Sequence, residues 1–106
     1  MKISYRTKEN YQIFDIEGNI AFEETQNLED FVFQNISSDS SNIVINLKQV
    51  PYLNSSALGS MVRMLQTLKT RNIKLYIMNI NDDIKNLFTI TGVMKYFEFI
   101  DYESIV

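Results

Sequence analysis

The chain has neither histidine nor cysteine among its 106 residues. Without histidine it lacks the usual general base, the commonest zinc ligand and every Ser-His-Asp or Cys-His arrangement. Without cysteine it has no disulfide framework and no thiolate nucleophile, and thiol usage says nothing about its redox compartment. Positive charge is also scarce: the net charge is −3 and the pI is near 4.8. Phosphate-backbone binding needs clustered Lys and Arg, so no nucleic-acid partner is expected. No apolar run approaches the ~20 residues of a spanning helix, and Met1 to Lys8 breaks its apolar residues with charge too often for a signal-peptide core. The expectation is a soluble, cytoplasmic protein without membrane insertion.

What is present suits one compact domain over residues 1–106, with 45% hydrophobic and 12% aromatic residues to build its core. Ile3, Tyr5 and Thr7 alternate with polar neighbours, and Tyr11 to Ile16 follows after the break Lys8-Glu9-Asn10. These two segments predict a hairpin whose first strand is a sheet edge. Gly18-Asn19 closes the second strand. A helix is predicted from about Phe22 to Ile36, with Leu28, Val32 and Ile36 on one face beside Phe31, and Glu23 and Glu24 near its positive end. Ser37 to Ser41 is a polar connector.

Asn42 to Leu47 has the pattern of a buried strand, and Leu58, Met61, Val62, Leu65 and Leu68 recur at the spacing of one helix face. Between them lies Val50-Pro51-Tyr52-Leu53-Asn54-Ser55-Ser56-Ala57-Leu58-Gly59. Its adjacent hydroxyls stand where a loop hands over to a helix, a place suited to a modifiable oxygen because exposed N–H groups and the helix dipole favour anions. Ile73 to Met78 alternates like a strand, Asp82-Asp83 opens a third helix ended by Gly92, and Tyr96 to Ile100 is a last short strand. The order β-β-α-β-α-β-α-β implies an α/β domain with a mixed, mostly parallel sheet carrying one antiparallel edge strand.

The element order, together with Asn54-Ser55-Ser56-Ala57-Leu58-Gly59 at the start of the second helix, resembles the STAS domain of bacterial anti-sigma-factor antagonists. That family's usual signature there is Asp-Ser-Ser-Gly-Leu-Gly. Ile84 to Val93, with Leu87-Phe88 and a later Gly92, is similar to a second stretch of the family, and Gly18 is a third anchor. The resemblance covers nearly the whole chain. It implies a partner switch: the unmodified protein binds an anti-sigma factor and frees a sigma factor, and phosphorylation of the second serine, Ser56 here, ends that binding. The implied partners are an anti-sigma factor with serine kinase activity, using ATP and magnesium, and a separate serine phosphatase. The chain itself would be no enzyme and need no cofactor. Three positions depart from the family's pattern. Asn54 replaces an aspartate, keeping a capping oxygen but losing a charge; Ala57 replaces a glycine; and Ala21 stands where an acid is often found.

Asn54, Ser55, Ala57 and Gly59 are thus the supporting residues around Ser56. Taken without the resemblance, Ser55 and Ser56 are ordinary helix-capping residues. Met64 lies with Ala57, Ser60 and Arg71 on a helix face offset from the apolar stripe, as a candidate partner contact or a peripheral core residue. Phe22 and Tyr52 are further candidates on loops at the same end, the alternative being local packing. Asp82 and Asp83 suit a helix start better than a metal, with two oxygen donors too few for a site, so no metal is expected. Two rival functions remain. One is a STAS subunit that docks on a transporter ATPase or a larger stress-signalling assembly without being phosphorylated. The other is a small serine-dependent enzyme using Ser55 or Ser56, with Lys48, Lys69 or Lys74 as base, although it lacks the Gly-x-Ser-x-Gly elbow.

Overall fold

The structure, a computed structural model, describes residues 1–101. Strands β1 (Lys2–Lys8) and β2 (Tyr11–Glu17) form an antiparallel hairpin. They are followed by α1 (Thr25–Asn35), β3 (Asn42–Gln49), α2 (Ser55–Thr70), β4 (Lys74–Met78), α3 (Asp82–Ile90) and β5 (Glu98–Ile100). The sheet runs β1-β2-β3-β4-β5, with every pair after the first parallel. This is the expected α/β order with its antiparallel edge strand. The expected domain's last residues, 102–106, lie outside those described.

Alternation decides which side of each strand is covered. Phe14, Ile16, Ile43, Ile45, Leu47, Leu75 and Ile77 meet helix residues such as Leu28, Val32, Met61, Leu68, Ile84 and Phe88 in one buried cluster. The opposite face holds a smaller cluster of Ile13, Val44 and Met78, with Tyr11, Tyr76 and Ile100 packed against it. The helices therefore lie on one side of the sheet. On the other, Arg6 Nε donates to Asp15 at 2.8 Å, Asn46 Nδ2 donates to Asp15 at 2.7 Å, and Asn79 Nδ2 donates to Asn46 at 3.0 Å.

One buried polar side chain joins the layers. Gln12 Nε2 donates to the Asn35 carbonyl at 2.6 Å, while its Oε1 accepts from Ser37 N and Ser40 Oγ, each at 3.0 Å. It fastens the end of α1 and the serine connector to the sheet, and no buried side-chain nitrogen or oxygen among the described residues lacks a hydrogen-bond partner.

Three expected boundaries or faces are corrected. Phe22 to Glu24 forms a separate 3₁₀ turn ahead of α1. Glu24 N bonds back to the Ala21 carbonyl, its carboxylate accepts from Ala21 N at 3.0 Å, and Thr25 Oγ1 closes on the Phe22 carbonyl at 2.9 Å. The last strand begins at Glu98, because Met94–Tyr96 makes another 3₁₀ turn that drives Phe97 into the core, with its ring 5.4 Å from that of Phe88. The buried face of α2 comprises Ala57, Leu58, Ser60, Met61, Met64 and Leu68. At 3.6 residues per turn it is rotated by roughly 60° from the expected stripe. Val62 and Leu65 are only partly covered. The rotation brings the small residues Ala57 and Ser60 into the core, and the Ser60 hydroxyl bonds to Glu29 on α1.

Candidate functional site

The loop from β3 to α2 is anchored by burying Val50 and Leu53 while Pro51 and Tyr52 stay outside. Val50 N bonds to the Leu47 carbonyl at 3.0 Å, and Gly18 N bonds to the Gln49 carbonyl at 2.9 Å. Gly18 has φ +86°, a left-handed conformation that glycine adopts without strain, so the chain turns sharply out of β2 beside that loop.

Asn54 is the N-cap of α2. Its Oδ1 accepts from Ala57 N at 2.8 Å and its carbonyl accepts from Leu58 N at 3.1 Å, satisfying two donors of the first turn. Its Nδ2 donates to the Ile20 carbonyl at 3.1 Å, tying the helix start to the loop after β2. Asn81 repeats the device: Oδ1 caps Ile84 N of α3 at 2.8 Å, and Nδ2 donates to the Pro51 carbonyl at 2.8 Å. Asp82 and Asp83 occupy the first turn of α3 rather than its cap.

Ser55 and Ser56 are the first two residues of α2. Since Asn54 does the capping, the expectation of serine caps is corrected, and neither hydroxyl makes a hydrogen bond among the described residues. Ser55 is exposed and Ser56 half-buried. Beside them a cleft of about 260 Å³ is lined by Asn19, Ile20, Ala21, Tyr52 and Asn54. Two large apolar side chains flank it in space or sequence, Tyr52 at 49% and Phe22 at 72% exposure. The loops concerned follow β2 and β3 at the carboxyl ends of parallel strands, where open α/β sheets present their binding sites.

The structure thus gathers Asn54, Ser55, Ser56 and Tyr52, with Phe22 on the adjoining turn. It does not add Ser60 or Met64, both fully buried. Met64 packs in the core cluster, and Ser60 is turned toward α1. Ala57 is buried as well, so its methyl group points inward and does not narrow the surface. Gly59 is half-buried, and a Cβ there would stand 3.6 Å from Arg63 Nη1, an ordinary contact.

The local electrostatics centre on a pair that no short-range pattern announces, since its members are 34 residues apart. Arg63 Nη2 donates to Glu29 Oε2 at 2.9 Å, and Ser60 Oγ donates to the same oxygen at 2.9 Å. Burial pushes the Glu29 carboxyl up, yet the bonds from Arg63 and Ser60 outweigh it and hold the group below the usual carboxylate range. Glu29 in turn raises Arg63. Glu24 is lowered by the Ala21 N–H and then by the N-terminal ammonium, 3.2 Å away.

For chemistry at a serine, no hydrogen bond joins Lys48, Lys69 or Lys74 to either hydroxyl among the described residues. Lys69 lies in the last turn of α2, about 20 Å along the axis from Ser56. Lys74 opens β4, opposite the start of β3. The arrangement offers a presented hydroxyl, a helix start tied down by Asn54 and exposed aromatics, which suits modification and protein contact.

Known proteins share this fold. A curated anti-sigma-B factor antagonist of Staphylococcus aureus is 28% identical over 93 residues, covering 88% of this chain and 86% of its own. The anti-sigma factor antagonist SpoIIAA of Bacillus has been solved unphosphorylated, with a TM-score of 0.77 at 12% identity over 97% of this chain and 91% of that one. A sulfate transporter family protein from Wolinella succinogenes gives a TM-score of 0.80 at 13% identity, over 94% and 85%. At such identities the two structures share the fold alone. The family model of the STAS domain matches residues 2–104, and the chain belongs to the STAS domain family.

Proposed function

We propose that this chain is an anti-sigma-factor antagonist of a cytoplasmic partner switch. Unmodified, it binds an anti-sigma factor with serine kinase activity through the surface around Ser56, Tyr52 and Phe22. Phosphorylation at Ser56 ends that binding, and a serine phosphatase restores it. The observation that carries the reading is the unengaged Ser56 hydroxyl in the first turn of a helix whose start is pinned by Asn54, next to exposed aromatic side chains. The anti-sigma-B factor antagonist relatives support the same choice.

The energetics suffice. A phosphate adds about −1.5 to −2 charges near neutral pH. One pair of unit charges at 4 Å, with an effective dielectric near 20, is worth about 4 kcal/mol. Half of that as repulsion from an acidic or desolvated partner surface weakens binding roughly 30-fold at 1.4 kcal/mol per tenfold. The fold can stay unchanged while the surface changes sides.

A second reading, an unphosphorylated docking subunit of a transporter ATPase or stress-signalling assembly, draws on the likeness to the sulfate transporter family protein. Affinity purification of wild-type and Ser56→Ala protein from the native cells, with mass spectrometry of partners and phosphopeptides, separates the two. A serine kinase together with phosphate on Ser56 is the expected result. A transporter ATPase recovered equally by both proteins, with Ser56 unmodified, overturns it.

A further inference from the structure

Ser56 and Arg63 lie two turns apart on nearly the same line of α2, about 10 Å along its axis. Gly59 occupies the turn between them and puts no side chain in the way. Arg63 Nη1 lies 3.6 Å from where a Cβ on Gly59 would stand, so the guanidinium is laid back along the helix toward its start. The guanidinium is also held in orientation. Its Nε lies 3.2 and 3.3 Å from the Glu29 carboxylate oxygens and its Nη2 lies 2.9 Å from Oε2. Glu29 is itself fixed by the buried Ser60 hydroxyl. One edge of the fork is thereby committed to α1, while Nη1 has no hydrogen-bond partner among the described residues and faces the turn that Ser56 begins.

We infer that Arg63 is the intramolecular reader of the phosphate on Ser56: Nη1 pairs with a phosphate oxygen while Nε and Nη2 keep their hold on Glu29. This rests on Ser56 being the phosphoacceptor and adds how the modified state is held. Two N–H groups of Nη1 meet a doubly charged acceptor, a charge-assisted contact of the kind for which arginine's geometry is suited. The Glu29 carboxylate is the facing acid from α1, and it sits at the far edge of the guanidinium. The phosphate is then laid along α2 over Gly59, so Gly59 matters as an open lane for the contact. Glu29 and Ser60 act as positioning residues for Arg63.

The test uses full-length protein carrying phosphoserine at position 56 installed during translation, so that no kinase is required. A ³¹P NMR titration reads the second ionisation of the phosphate. Wild-type protein is expected to ionise about one pH unit lower than Arg63→Gln, with Arg63→Lys between them. Equal values in wild type and Arg63→Gln overturn the inference. If Arg63→Gln fails to fold, the ¹⁵N signals of the Arg63 side chain decide within the wild-type sequence. A shift between unmodified and phosphorylated protein supports the contact, and unchanged signals overturn it. Failure of the phosphoacceptor reading looks different: the native kinase leaves Ser56 unmodified while the installed phosphate still pairs with Arg63.

Discussion

The side-chain amide of Asn54 joins the first turn of α2 to the Ile20 carbonyl, accepting from Ala57 N at 2.8 Å and donating across at 3.1 Å. An aspartate can make the first of these bonds but has no proton for the second. Asn54→Asp is expected to cost about 1 kcal/mol of stability, the worth of one lost hydrogen bond, while Asn54→Ala, which loses both, costs about 2 kcal/mol. Urea unfolding of the three proteins measures both. If Ser56 is the phosphoacceptor, the restored acid raises the rate of phosphorylation even as it lowers stability, so the two readouts move in opposite directions.

Ser56 and Ser60, on the same helix but in different surroundings, should respond differently to alanine. Ser56→Ala is expected to change stability by less than about 0.5 kcal/mol, because its hydroxyl is unengaged. Ser60→Ala removes a buried bond to Glu29 and costs about 1 kcal/mol. If Ser56 is the phosphoacceptor, only the first should abolish phosphate incorporation, which mass spectrometry reads directly.

Glu29 gives the stability a pH dependence of known sign. Its carboxyl is held lower in the folded protein than in the unfolded chain, so its contribution is fully present above the unfolded value near 4.5 and is lost as pH falls through the folded value. The difference in urea midpoint between wild type and Glu29→Gln should therefore be constant near neutrality and shrink below about pH 4.5. A difference that grows on acidification contradicts the stabilising role of the Glu29–Arg63 pair.

If Tyr52 and Phe22 form the proposed partner surface, their variants separate binding from folding. Each is at least half exposed or nearly so, and truncation to alanine should leave stability within about 0.5 kcal/mol. Affinity for the anti-sigma factor should fall tenfold or more, as for aromatic anchors of an interface. Met64→Ala should do the reverse, costing about 2 to 4 kcal/mol of stability through a core cavity while the folded variant keeps its affinity. Titration calorimetry beside urea unfolding distinguishes the two sets.

Much of this was legible in the sequence where a local pattern dictated it. Alternation placed β1 and β4, a buried apolar run placed β3, Gly92 with φ +76° closed α3 as expected, and the Asn54-Ser55-Ser56 junction sat at the start of α2. The capping role of Asn81 was available from the same pattern, since it precedes Asp82-Asp83 as Asn54 precedes the serines. What sequence could not reveal depended on distant partners. The rotation of α2 turns Ala57 and Ser60 inward, with Ser60 bonded to Glu29 of α1, and a stripe of large apolar residues outweighs small ones in any periodicity reading. Gln12 is buried because three partners from 23 to 28 residues away satisfy it in the interior, and no local pattern shows them. Glu29 and Arg63 likewise show their relation only once two helices are side by side.

The paired asparagine caps have a mechanical consequence. Asn81 holds the loop that leads into Asn54, and Asn54 holds the loop that leads into α1. Lifting either loop from the sheet breaks its tie to the start of the next helix, so the two openings are expected to be coupled. The amide protons of Ala57 and Ile84 should exchange with solvent at matched rates, and a partner seated over Tyr52 would slow both together.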